Sequence, residues 1–232
     1  MLNPENELHA LLEPIHYGLQ SVAPDYVALG ASGSTITGDR WVRGYSDRDV
    51  IVVFKREIAK RPAVAALFSN PPFDDTLNLV PVTEALFLTP GNVAAAFGNR
   101  FRCKSLFGEA LVSQVQLPTS ECAKQFAKSA LCEPSMGTIA RIERKYLDIN
   151  FWSEGKIRHS LYALLKDAFT SIAILHYVET GEYLPTRRAL AERIGEPALI
   201  RAFQSINAIE SVDRNELISA AENLAVYLRE AS

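Results

Sequence analysis

Gly33-Ser34-Thr35-Ile36-Thr37-Gly38 is followed, after a short basic loop, by Ser46-Asp47-Arg48-Asp49-Val50-Ile51-Val52-Val53-Phe54. The first run sets a small Gly-Ser turn after the apolar stretch Tyr26 to Gly30, and the second opens an apolar strand on two carboxylates. Residues two apart in a strand point to the same face, so Asp47 and Asp49 project together from one edge of a sheet. Two adjacent carboxylates are the donors a hard divalent cation such as Mg2+ takes from a protein, with nucleotide phosphates completing its shell. The N–H groups after a glycine turn at the start of a helix form a nest for phosphate oxygens, and the Ser34 hydroxyl adds a donor.

This arrangement resembles the nucleotidyltransferase superfamily that includes DNA polymerase beta, the aminoglycoside nucleotidyltransferases and the minimal nucleotidyltransferases. The resemblance rests on Tyr26 to Gly30 as first strand, Gly33-Ser34 as signature and Asp47-Arg48-Asp49 as acidic pair. Ser34 and Asp47 lie thirteen positions apart, slightly longer than the pattern, which assigns a small insertion to Asp39 to Tyr45. The resemblance implies an α+β fold: a mixed sheet with flanking helices, followed by a C-terminal helical bundle. It implies Mg2+ held by Asp47 and Asp49, an NTP with ATP as first choice, and transfer of a nucleotidyl group to a hydroxyl of a small molecule or a protein. Some relatives build the cleft between two subunits, so a homodimer is also an expectation.

Family members carry a third acidic residue on a further strand. The run that should supply it is Thr76-Leu77-Asn78-Leu79-Val80-Pro81-Val82-Thr83-Glu84, whose alternation reads as a strand with Leu77, Leu79 and Val82 inward. The acidic slot then falls on Asn78, which keeps the shape and one carbonyl oxygen but accepts no proton at neutral pH. Glu84 is the first candidate to replace it, reaching in after a bend at Pro81; Asp75 in a shifted register and an acid of the helical region are the others. Asp74 shares Asn78's face but lies four residues back, about 13 Å along a strand. A degenerate domain that binds a nucleotide or a partner without catalysis is the alternative reading, and Asn78 is the residue that favours it.

Arg102 to Leu111 reads as a strand ending at a Gly108 turn. Leu117-Pro118-Thr119-Ser120 marks a boundary, giving a nucleotidyltransferase-type region over 1–117 and a helical one over 118–232. In the first region Leu8, Leu11, Leu12, Ile15 and Leu19 form one face of an opening helix despite Pro14, and His9 and His16 on it read as structural rather than metal-binding. Beyond Pro118 the apolar spacing is helical: Glu121 to Leu131, Thr138 to Trp152, Lys156 to Glu179 stopped by Gly181, Thr186 to Ile194 stopped by Gly195, Ala198 to Ile206, and a last helix opened by Asp213 with Glu216 in capping-box spacing.

A triphosphate needs a cation, and Lys145 or Lys156 is the candidate among Arg141, Arg144, Arg158 and Lys166, most of which read as a solvated helix face. Trp152, Tyr162 and Tyr177 read as packing residues. Arg158-His159 and His176 do not match the Arg-spacer-His pattern of the ribonucleases found among related helical domains.

The 232 residues carry a net charge of −3, a 48% hydrophobic and a 22% charged share, the composition of a soluble globule. That balance argues against broad nucleic-acid binding. The N-terminus is acidic, and no run of about eighteen apolar residues suggests a membrane partner. Cys103, Cys122 and Cys132 have no metal spacing and read as free thiols of a cytoplasmic protein.

Overall fold

In a computed structural model, residues 4–37, 48–56, 62–68, 77–133, 137–148 and 153–230 are described. The fold is α+β, with a mixed four-stranded sheet and its helices followed by a wholly helical region. Two compact units divide the chain, Met1–Leu117 and Pro118–Ser232.

The first unit runs α1 (Pro4–Val22), β1 (Tyr26–Ser32), α2 (Ser34–Thr37), β2 (Arg48–Phe54), α3 (Pro62–Phe68), β3 (Leu77–Thr83), α4 (Glu84–Leu88), α5 (Val93–Phe101), β4 (Cys103–Gly108) and a 3-10 turn, Val112–Gln114. The strand order is β3-β2-β1-β4, with β2 and β3 parallel and the other pairs antiparallel. Leu8, Leu12, Ile15 and Leu19 of α1 pack with Leu29, Ala31, Val50, Val52 and Phe54 on one face of the sheet. Val27, Ala28, Ile51 and Val53 pack on the other with Phe87, Leu111 and Val115. Both faces of β2 are therefore covered, which explains why Val50 to Phe54 is an unbroken apolar run rather than an alternating one. Pro14 stays inside α1 on its exposed side, where water can satisfy the carbonyl that the missing N–H leaves open.

Two features of the strands differ from the sequence expectation. Leu79 packs toward the α1 face and Val82 toward the opposite one, so β3 has no single inward side. Nor does the chain bend at Pro81: β3 continues through it, with Pro81 opposite Val52 and Thr83 opposite Phe54. An edge strand tolerates proline because one side of its backbone needs no ladder partner.

At the end of β4, Gly108 has φ +78°, and a Cβ there would stand 2.2 Å from the Val27 carbonyl oxygen. Only glycine allows this turn against β1.

The second unit contains α6 (Ser120–Cys132), α7 (Thr138–Asp148), α8 (Glu154–Thr180), α9 (Arg187–Ile194), α10 (Pro197–Asn207) and α11 (Arg214–Glu230). Local signals set their ends. The side chains of Thr119 and Thr186 accept from Cys122 N (3.3 Å) and Ala189 N (3.0 Å), and Asp213 Oδ1 accepts from Asn215 N (2.8 Å) and Glu216 N (3.4 Å). Gly181 and Gly195 close α8 and α9 in the left-handed conformation. Among the described residues α8 has the length and apolarity to cross a membrane, but 56% of its apolar window is buried among the other helices, as in the central helix of a bundle.

Candidate functional site

The site forms where β1 ends. Gly33 follows Ser32 with φ +78°, a conformation that disfavours any side chain. Its N–H donates to the Arg102 carbonyl (3.1 Å), and its own carbonyl accepts from Ile36 N and Thr37 N (both 3.1 Å). The turn is thus tied to the start of β4 on one side and to α2 on the other.

Asp49 sits beside this turn because β1 and β2 pair Ser32 with Asp49. A Cβ on Gly33 would be 3.7 Å from Asp49 Oδ2, so that oxygen lies over the glycine. On its other side β2 pairs Asp49 with Asn78 of β3. Asn78 Nδ2 donates to Asp49 Oδ1 at 2.8 Å. A carboxylate only accepts, so the amide turns its nitrogen toward it.

Gly33, Asp49 and Asn78 are therefore brought together at one end of the sheet. Asp47, Asp74, Asp75 and the side chains of Ser34 and Lys145 lie outside the described residues. Glu84 is not brought in, which corrects the expectation attached to Pro81. It opens α4 after the last residue of β3, six positions beyond Asn78, or about 20 Å along a strand. The straight passage of the edge strand through Pro81 is the reason.

The chain matches no model of a known protein family and no curated protein.

Mg2+ accepts one or two carboxylates and completes its octahedron with water and substrate phosphates. Asp49 Oδ2 stands outside the Asn78 bond, and a carboxylate oxygen is a donor of the kind such an ion takes. Among the described residues no group of three His, Cys, Asp or Glu could hold a metal.

Other candidates fall into structural roles. His16 is buried, with Nδ1 2.8 Å from the Tyr26 hydroxyl and its ring stacked on Phe107. Burial holds its pKa below the ordinary 6.5, against an opposing pull from Glu13. The His9 ring lies 4.3 Å from that of Phe107. Arg158 pairs with Glu154 and donates to the carbonyls of Ile209 (3.1 Å) and Val212 (2.6 Å), which fixes the α10–α11 connection. Arg141 meets Asp167 at 3.5 Å. Tyr162 is a fully buried core residue, and Tyr177 meets Tyr183 edge-on. Lys156 is exposed. Cys103, Cys122 and Cys132 form no disulfide, and burial pushes the Cys103 thiol up to about 12.

Sequence reasoning missed two site contacts, the Arg102 carbonyl on Gly33 and Ser32 opposite Asp49. Both are backbone contacts between distant segments, and no local residue pattern announces them.

Proposed function

We propose that the first unit binds an NTP with Mg2+ at the Gly33 end of the sheet and transfers its nucleotidyl group to a hydroxyl of a small molecule or protein. The observation that supports this reading is the convergence of Gly33, Asp49 and Asn78, with Asp49 Oδ2 over the glycine turn. In this reading the N–H groups of Ser34 and Thr35 receive phosphate oxygens, those of Ile36 and Thr37 being already bonded to the Gly33 carbonyl. Asp47 and Asp49 hold the metal in this reading. The ion supplies neutralisation of phosphate charge and orientation of the leaving pyrophosphate. The acceptor oxygen bonds to the α-phosphorus, the bond to pyrophosphate breaks, and the hydroxyl proton passes to a base.

Asn78 cannot be that base, and Glu84 is too distant. Asp75, two positions before β3 in the sequence, is the proton acceptor assigned in this reading. A second reading follows from the same hydrogen bond: with an amide where the third carboxylate is expected, the site binds nucleotide, or a partner, without transfer. The absence of a disulfide among Cys103, Cys122 and Cys132 supports a reducing, cytoplasmic compartment in this reading.

Incubation with each of the four NTPs, labelled at the α-phosphate, and Mg2+ tests the transfer. Release of pyrophosphate with label retained on an acceptor or on the protein is expected, and is lost in Asp49→Asn. Mg2+-dependent retention of unchanged NTP would replace transfer by the second reading, and neither result from folded protein would reject both.

A further inference from the structure

The second unit contains a half-open cavity of about 280 Å³ formed by α6, α8, α9 and α11. Its floor includes Ile172 and Leu228, both buried. Its polar wall includes Lys128, His176, Glu179 and Tyr227. Three observations bear on what it takes.

His176 Nε2 lies in the wall, buried and without a hydrogen-bond partner. A buried ring nitrogen left unpaired costs free energy that a bound donor or acceptor restores.

Every helix lining the cavity does so near its C-terminal end. Lys128 precedes the end of α6 at Cys132 by four residues, His176 and Glu179 lie in the last turns of α8, Ile194 is the last residue of α9, and Tyr227 and Leu228 precede the end of α11 at Glu230. Each helix C-terminus carries roughly half a negative charge.

The side-chain charges point the same way. Burial, and after it Glu196 and Glu179, hold the Tyr227 phenol above its ordinary pKa. The nearby cations Arg193 and Arg229 are paired, with Glu182 and Glu143. Lys128 opposes this field from an exposed position on the rim.

We propose that this cavity is a binding site for a small primary amine with an apolar body, the body resting on Ile172 and Leu228 and the ammonium directed to Glu179, the Tyr227 phenol oxygen and His176 Nε2. An ammonium carries three donors and no acceptor. It selects the imidazole tautomer whose Nε2 accepts, and it satisfies the orphaned nitrogen, the carboxylate and the convergent helix ends together. A cavity of about 150 Å³ already holds benzene, so an aryl or branched alkyl body fits this one. The inference concerns the helical unit alone and does not depend on the nucleotide reading.

The test is calorimetric titration of the full-length protein with 2-phenylethylamine, using 2-phenylethanol and phenylacetate as neutral and anionic counterparts of the same body. The amine should bind saturably, more tightly than the alcohol, with the carboxylate weakest. Glu179→Gln, an exposed and conservative change, should weaken the amine roughly fivefold and leave the alcohol unchanged. Lys128→Ala should tighten it. Leu175→Trp, which fills the cavity from α8, should abolish binding while circular dichroism remains that of the wild type. Equal affinity for amine and alcohol would overturn the claim for a cation. Absence of saturable binding, or binding unaffected by Leu175→Trp in the folded variant, would overturn the site.

Discussion

Asn78 occupies the position where a carboxylate was expected, and its bond to Asp49 shows what the exchange does. Two carboxylates at this separation would repel one another unless a cation stood between them. An amide instead donates, and holds Asp49 Oδ1 without a cation. In the proposed function Asn78 acts through Asp49 as a positioning residue. Partners that orient a ligand contribute roughly 10–100-fold to metal affinity, so Asn78→Ala should weaken Mg2+–NTP binding by about tenfold, read by titration, while the thermal midpoint hardly moves because Asn78 is exposed. His16 carries a separate prediction. Its folded pKa lies below 6.5, so the unfolded chain takes up a proton first as pH falls. The stability it contributes is complete above 6.5 and is lost as pH falls from 6.5 through the folded value. Urea titrations at about pH 7.5 and about pH 5 should show a decline in the wild type, and a smaller one in His16→Gln.

At the scale of elements, the sequence was most legible where local chemistry sets the ends. The helices after Pro118 were expected to within a few residues, because Thr119, Thr186 and Asp213 cap them and Gly181 and Gly195 stop two of them. The α5 helix was not singled out, although Asn92 Oδ1 caps it by accepting from Ala95 N at 2.7 Å and Val93, Phe97 and Phe101 recur at helical spacing; over nine residues with Gly98 among them the pattern is short. The error at Pro81 had another origin: proline marks a break only where its N–H is needed, and edge position is a property of the sheet that no local window contains. Gly108 tests the same level. With φ +78° and the Val27 carbonyl 2.2 Å from where a Cβ would stand, Gly108→Ala should destabilise the protein by about 3 kcal/mol, measured by chemical denaturation. The loss combines a left-handed alanine with displacement of the β1–β4 ladder; a change below about 0.5 kcal/mol would mean the turn relaxes freely.

For the whole molecule, the α+β order of a mixed sheet followed by helices follows from the switch of apolar spacing near Pro118. The candidate site was legible only in part. Gly33 and Asp49 were found from their motif and do lie together, and Asn78 was placed by strand alternation; the register that joins them came from long-range pairing of β1, β2 and β3. The central claim is that this end of the sheet binds nucleotide through a metal. Its most direct measurement is calorimetric titration of ATP, CTP, GTP and UTP, with and without Mg2+, into the wild type and Asp49→Asn. The account predicts saturable binding of at least one nucleotide that requires Mg2+ and is lost in the variant. Failure of folded wild type to bind any of the four, or binding indifferent to both Mg2+ and Asp49, would contradict it.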